Sequence, residues 1–139
     1  MIKLSDTFYK RMFFVGALWN YSFAIPGIFL PSFMLLLTYG PEMDQSLLLG
    51  NYYAYWMYIF WFLAVAVFGI GYYIVSRDIE KNHGVVWLGI IGKLIFFIYL
   101  AASYFIGKAT ILALLAGTGD FIFTIFFISF LYQVKTGNL

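Results

Sequence analysis

The sequence predicts an all-α integral membrane protein, a four-helix bundle formed by a single transmembrane domain over residues 1–139. Hydrophobic residues make up 64% of the chain and charged residues only 10%, with a mean hydropathy of +0.92, whereas soluble domains are roughly 25% charged. Four apolar stretches approach or exceed the roughly 20 residues that a helix needs to cross a bilayer. They lie at about 12–30, 48–76, 84–106 and 109–133.

The first span is predicted to be kinked or to end near a proline. Ile25 precedes Pro26, and proline removes a backbone donor and disfavours helix at the residue before it. Pro31 suits the first turn of a second, short helix, which we expect over residues 31–39 at the outer interface. Residues 40–44 are rich in glycine, proline and acidic side chains and are predicted to form an exposed turn.

An aromatic segment, a charged loop and a short link bound the three later spans. Residues 51–58 contain five tyrosine or tryptophan side chains, which is typical of a belt at the level of the lipid headgroups. Residues 77–83 form the charge-dense loop after the second span. The link at residues 107–109 is so short that the third and fourth spans are expected to be antiparallel neighbours.

The distribution of basic residues predicts the orientation. If the N-terminus faces the cytoplasm, six basic residues lie on that side and only Lys108 lies on the other, which matches the positive-inside rule. Both termini are therefore predicted to be cytoplasmic. The six residues are Lys3, Lys10, Arg11, Arg77, Lys81 and Lys135.

Three polar side chains fall well inside the predicted spans: Asn20, Lys93 and Asp120. Ionisable residues at membrane depth are costly and usually serve function. They are predicted to form a site that binds a ligand or an ion between the first, third and fourth spans. Thr124 is included because it lies four residues after Asp120, on the same helical face.

Two alternatives for the charged pair remain open at this stage. Side chains lean toward the N-terminus of their own helix, so Lys93 and Asp120 lean apart on antiparallel spans, and Lys93 would then extend toward the cytoplasm on its long stem. The second alternative is a pair that only specifies helix packing, because buried ion pairs also act as registry devices.

The resulting functional hypothesis is a protein that binds, and in its strongest form moves, a small solute or proton at Asn20, Lys93 and Asp120. A chain of this size predicts a homo-oligomer. The alternative is a non-catalytic accessory or scaffold subunit of a larger membrane complex, which would dock through the small-residue faces of its spans and its cytoplasmic loop. A third class uses Lys93 as a Schiff-base amine with Asp120 as counter-ion. The loop residues concerned are Arg77, Asp78 and His83.

Composition excludes several other classes. The chain has no cysteine, which rules out disulfides, thiolate metal sites and cysteine nucleophiles, and no basic run indicates nucleic-acid binding. No catalytic residue is predicted, because no recognisable nucleophile and base occur together. No metal and no cofactor are predicted either, since the single histidine, His83, lies in a loop expected to be solvated. The predicted partner is the lipid bilayer.

Three segments carry a resemblance to a known group of proteins: residues 69–78, residues 84–93 and the Gly117-Thr118-Gly119-Asp120 sequence. Together they resemble a pattern found in small uncharacterised bacterial membrane proteins with four spans. The layout is also similar to that of the DoxX-like group. The resemblance implies a bacterial inner (plasma) membrane location and implies no activity. Its most specific points are Trp19-Asn20, Arg77-Asp78, Gly92-Lys93 and Gly119-Asp120.

Overall fold

A computed structural model describes residues 4–137, and in that part of the chain every regular element is a helix. Lys3, one of the residues used to predict orientation, lies outside the described residues. The helices are α1 (Asp6–Phe29), α2 (Pro31–Tyr39), α3 (Ser46–Leu49), α4 (Tyr52–Arg77), α5 (His83–Phe105) and α6 (Ile111–Lys135). Four of them, α1, α4, α5 and α6, are long and apolar enough to cross a membrane. The all-α fold class is confirmed, and the four helices fit a multi-pass membrane protein.

Side-chain caps explain where three of the long helices begin. The Ser5 side chain accepts a hydrogen bond from Phe8 N, Asn51 accepts one from Ala54 N, and Thr110 accepts one from Ala113 N. Such caps satisfy backbone donors that the first turn leaves without a helical partner. The second span was predicted to begin at residue 48, but the cap at Asn51 makes α4 begin later. Residues 46–49 form a separate helix, α3, which was not predicted.

The first helix passes through its proline before it ends. Pro26 lies in the last turn of α1, and the helix stops at Phe29 because Leu30 has left the helical region with φ −132° and ψ 57°. The amide of Leu30 donates to the carbonyl of Pro26 at 2.7 Å. Pro31 then begins α2, as predicted, and a turn follows Gly40. The break therefore falls a few residues later than the Ile25-Pro26 pair.

The bundle consists of two helix pairs. Helix α1 packs along α4, and α5 packs along α6. One half of the space between the pairs, at the end that holds the described chain termini, is filled by large side chains, and we call it the packed half. Rings of Phe13 and Phe127 meet there with centroids 4.9 Å apart. The fully buried residues of the packed half are Tyr9, Phe13, Tyr72, Val75, Val86, Phe127 and Phe130.

Candidate binding site

The structure brings the three predicted polar side chains together. The Lys93 ammonium contacts Asp120 Oδ1 and donates to Asn20 Oδ1 at 3.2 Å. The three residues come from three helices, α5, α6 and α1. The Lys93 and Asp120 side chains are only 5% and 8% exposed. Burial at this level rules out the alternative in which Lys93 extends to the cytoplasmic surface.

The length of the lysine stem explains why the contact forms although the two side chains lean apart. The short link between α5 and α6 makes them close neighbours, and the four-carbon stem of Lys93 then covers the remaining distance to Asp120. Asn20 is held in place by a second bond, because its Nδ2 donates to the Val65 carbonyl of α4 at 3.0 Å. Asn20 thus connects the charged pair to α4.

Aromatic side chains that were not predicted as site residues complete the site. Trp19 Nε1 donates to Asp120 Oδ1 at 3.2 Å. The Lys93 Nζ lies 5.3 Å from the ring centroid of Tyr72 and 5.2 Å from that of Phe123, within the range of cation–π attraction. The sequence signals were the pairs Trp19-Asn20 and Gly119-Asp120, since a side chain at Gly119 would overlap the Trp19 ring.

Thr124 has a local role. Its hydroxyl donates to the Asp120 carbonyl within α6 at 2.9 Å, and its side chain is buried. It does not line the cavity described below. Thr124 therefore shares the helical face of Asp120, as expected, while its hydrogen bond stays within its own helix.

The predicted loop residues lie at the end of the packed half, away from the polar site. Only Asp78 lies in the loop itself, because Arg77 is the last residue of α4 and His83 the first of α5. Asp78 forms an ion pair with Lys81 at 3.0 Å, and hydrogen bonding to Lys81 holds the pKa of Asp78 below its ordinary value. The His83 ring bonds the Ile79 carbonyl at 2.9 Å, while Arg77 is exposed. Among the described residues, no cluster of histidine, aspartate and glutamate could hold a metal ion.

A cavity of about 970 Å³ lies on the side of the polar site opposite the packed half. We call this part of the bundle the hollow half. Its volume is near the upper end of the roughly 300–1,000 Å³ that small-molecule pockets occupy. All six helices contribute to its wall, α3 only through Leu48, and the wall is mostly apolar. Asn20, Lys93 and Asp120 lie on that wall. The site therefore has one charged patch on a mostly apolar wall.

The short helix α2 covers part of the hollow half. The Tyr39 and Tyr99 hydroxyls share a hydrogen bond of 2.7 Å, which joins α2 to α5. At the start of α6, Thr110 N donates to the Thr38 carbonyl at 2.8 Å, and the Thr110 hydroxyl donates to the Leu37 carbonyl. These bonds hold α2 against α5 and α6.

Tyr58 also lines the cavity, and its hydroxyl is buried and has no hydrogen-bond partner among residues 4–137. A buried polar group without a partner costs about 1–3 kcal/mol. We expect Tyr58→Phe to raise the free energy of unfolding of the purified protein by up to about that amount. The matched control, Tyr39→Phe, breaks the bond to Tyr99 and should lower it, so a loss of stability in both variants would contradict this account.

Trp19→Phe tests the indole contact with the carboxylate. Hydrogen bonds to charged groups contribute about 1.5–3 kcal/mol, so the variant should lose about that much unfolding free energy. Trp87→Phe is the control, because Trp87 is exposed on α5 and should tolerate the same change. Denaturant titration of both variants in detergent measures the difference, and equal losses would show that the indole N–H contributes nothing.

Comparisons with protein-family models, with curated proteins and with solved structures found no match for this chain.

Proposed function

We propose that this protein is a membrane-embedded binding protein for a small lipophilic solute. The solute occupies the hollow half and places its polar end against Lys93, Asp120 and Asn20. One observation carries the proposal: three polar side chains from three helices converge on the wall of a mostly apolar cavity of about 970 Å³. Pockets of this size with a few converging polar groups are the usual form of small-molecule sites.

The packed half favours binding over passage through the bundle. Phe13, Phe127 and Phe130 lie on the far side of the polar site, do not line the cavity and are fully buried. A solute or proton that crossed the bundle would need a polar or open route past these rings. The cavity therefore supports a site that a solute reaches only through the hollow half of the bundle. Movement of solute or proton, the stronger form of the hypothesis, would be detected as flux in proteoliposomes.

We propose a bacterial inner-membrane location with both termini in the cytoplasm. The basic residues of the described chain support this orientation. Arg77 and Lys135 end their helices at the packed half, and Lys10 and Arg11 lie in the second turn of α1 at the same end. Lys108 lies at the opposite end. The residues that line the cavity all belong to one chain. Homo-oligomerisation and docking to a larger membrane complex remain predictions.

Photolabelling in liposomes tests the binding proposal. The probes are four straight-chain alkyl compounds that carry a diazirine in mid-chain and differ only in the head: an alcohol, its methyl ether, a carboxylic acid and an amine. Ala116→Phe places a ring in the cavity one turn from Asp120. The control is Ala102→Phe, because Ala102 is exposed on α5 and does not line the cavity.

The expected result is labelling of cavity-lining peptides by at least one probe, with strong loss in Ala116→Phe and no loss in Ala102→Phe. If no probe labels these peptides above the level of lipid-facing peptides, the binding proposal is wrong. The accessory-subunit alternative would then gain, and cross-linking in native membranes would test it by showing a partner at fixed stoichiometry.

A further inference from the structure

The chemistry of the polar site and the shape of the hollow half restrict the class of solute and its route. We infer that the solute is a neutral lipid with a hydroxyl group at its polar tip, and that it reaches the cavity sideways from the bilayer, between α4 and α5. This inference rests on the binding function proposed above, and it adds the head group and the path.

The zero net charge of the Lys93–Asp120 pair favours a neutral solute. Lys93 and Asp120 are in direct contact, so the pair has no net charge whether the shared proton lies on the amine or on the carboxylate. No other aspartate, glutamate, lysine or arginine lines the cavity in the part of the chain that the structure describes. A charged head would lose its water without gaining a free counter-ion, which is strongly unfavourable.

Hydrogen-bond capacity favours a neutral head that both donates and accepts, and a hydroxyl is the smallest such group. An ammonium has three N–H donors, and Lys93 uses two of them, on Asp120 and Asn20. Asp120 Oδ1 accepts from Lys93 and Trp19, whereas Oδ2 has no hydrogen-bond partner among the described residues. A hydroxyl both donates and accepts, so it can donate to Oδ2 and accept from Lys93. An ether cannot donate, and neither a carboxylate nor an ammonium can do both.

The route follows from how α4 and α5 separate. Near the loop that joins them the helices are close, because a methyl group added at Gly89 would lie 2.8 Å from the Tyr72 ring. Farther along, both helices line the cavity, and the Trp61 and Phe96 rings face each other across the gap with centroids 5.9 Å apart.

Exposure identifies the mouth of the cavity. Trp61, Ile95 and Tyr99 all line the cavity, yet they are 47%, 58% and 50% exposed. They lie within α4 and α5, two helices long and apolar enough to span a membrane. In a bilayer, the exposed faces of such helices contact lipid chains. A gap at this position opens into the hydrocarbon region, so the occupant comes from the membrane.

The four photoprobes test the head group. Because the ether, acid and amine each leave a buried group unpaired or a charge uncompensated, we expect the alcohol to label the cavity about tenfold more than any of them. Equal labelling by the alcohol and its methyl ether would overturn the hydroxyl assignment. A stronger signal from the acid or the amine would overturn the argument from neutrality. In both cases the proposed binding function would stand. If none of the four probes labelled the cavity, both proposals would be wrong.

A reversible cross-link tests the route. The chain has no native cysteine, so Trp61→Cys with Phe96→Cys can be bridged by a bis-methanethiosulfonate and released by a reductant. Alcohol labelling should fall several-fold on bridging and return on reduction. The control bridges Phe14→Cys and Tyr73→Cys, whose rings lie 6.4 Å apart between α1 and α4 away from the cavity. If alcohol labelling does not change when Trp61→Cys and Phe96→Cys are bridged, the proposed route between α4 and α5 is wrong.

Discussion

Asp120→Asn and Lys93→Met should each lower the free energy of unfolding by about 3–5 kcal/mol, because each leaves a buried charge without its partner. The double substitution should be much less harmful than the sum of the two. With both charges gone, no ion remains desolvated, and replacement of a whole buried pair is often close to neutral. The two residues touch, so they should show a large coupling energy in a double-mutant cycle.

The exposed pair Asp78 and Lys81 provides the control cycle. Its two side chains also form an ion pair, but they lie in the solvent-exposed loop, where such pairs contribute little. Asp78→Asn and Lys81→Met should leave unfolding in detergent unchanged within error. If Asp120→Asn and Lys93→Met also leave the free energy of unfolding unchanged, the Lys93–Asp120 contact does not stabilise the fold. That result would contradict its role in the proposed site.

The second large effect is expected at Gly27→Ala. Gly27 in α1 lies against the Phe62 ring of α4, and an added methyl group would overlap several ring atoms, including Cγ. Because Cγ is fixed close to the backbone, either the helices separate or the ring turns into the cavity. Overpacking of this kind costs about 1–3 kcal/mol. Thermal unfolding should therefore shift downward, and photolabelling of the cavity should fall with it.

Two further variants show whether the overlap is the cause. Gly84→Ala makes the same change at a position in α5 where nothing lies within 4 Å, and it should stabilise by up to about 1 kcal/mol through helix propensity. Phe62→Leu removes the ring, so the double variant with Gly27→Ala should lose less than the sum of the singles. Strict additivity would contradict the proposed contact.

Hydropathy was sufficient to predict the fold class and the four long apolar helices, because bilayer thickness sets the length of a membrane helix. Helix ends were less predictable. The start of α4 depends on the cap at Asn51, and α1 continues past Pro26. Local propensity indicated a break near Pro26. A helix can nevertheless tolerate a proline in its last turn when neighbouring groups bond the carbonyl that has lost its amide donor.

Within the site, the polar residues could be predicted and their surroundings could not. Asn20, Lys93 and Asp120 stand out because they are polar in apolar spans. Trp19 and Tyr72 do not, since aromatic residues make up 24% of the chain and their contacts depend on helix rotation. Sequence spacing suggested that Lys93 and Asp120 lean apart, yet a flexible lysine stem bridges them. The cavity arises from the separation of α4 and α5, which no periodic pattern encodes.

The division into a packed half and a hollow half also determines how the protein responds to hydrostatic pressure. The volume lost on unfolding scales with the internal void that unfolding removes, and here the void lies on one side of Lys93 and Asp120. Compression should therefore loosen the contacts around Phe62 and α2 while those around Phe127 persist. A bound solute would remove most of the void and make the two halves equally incompressible.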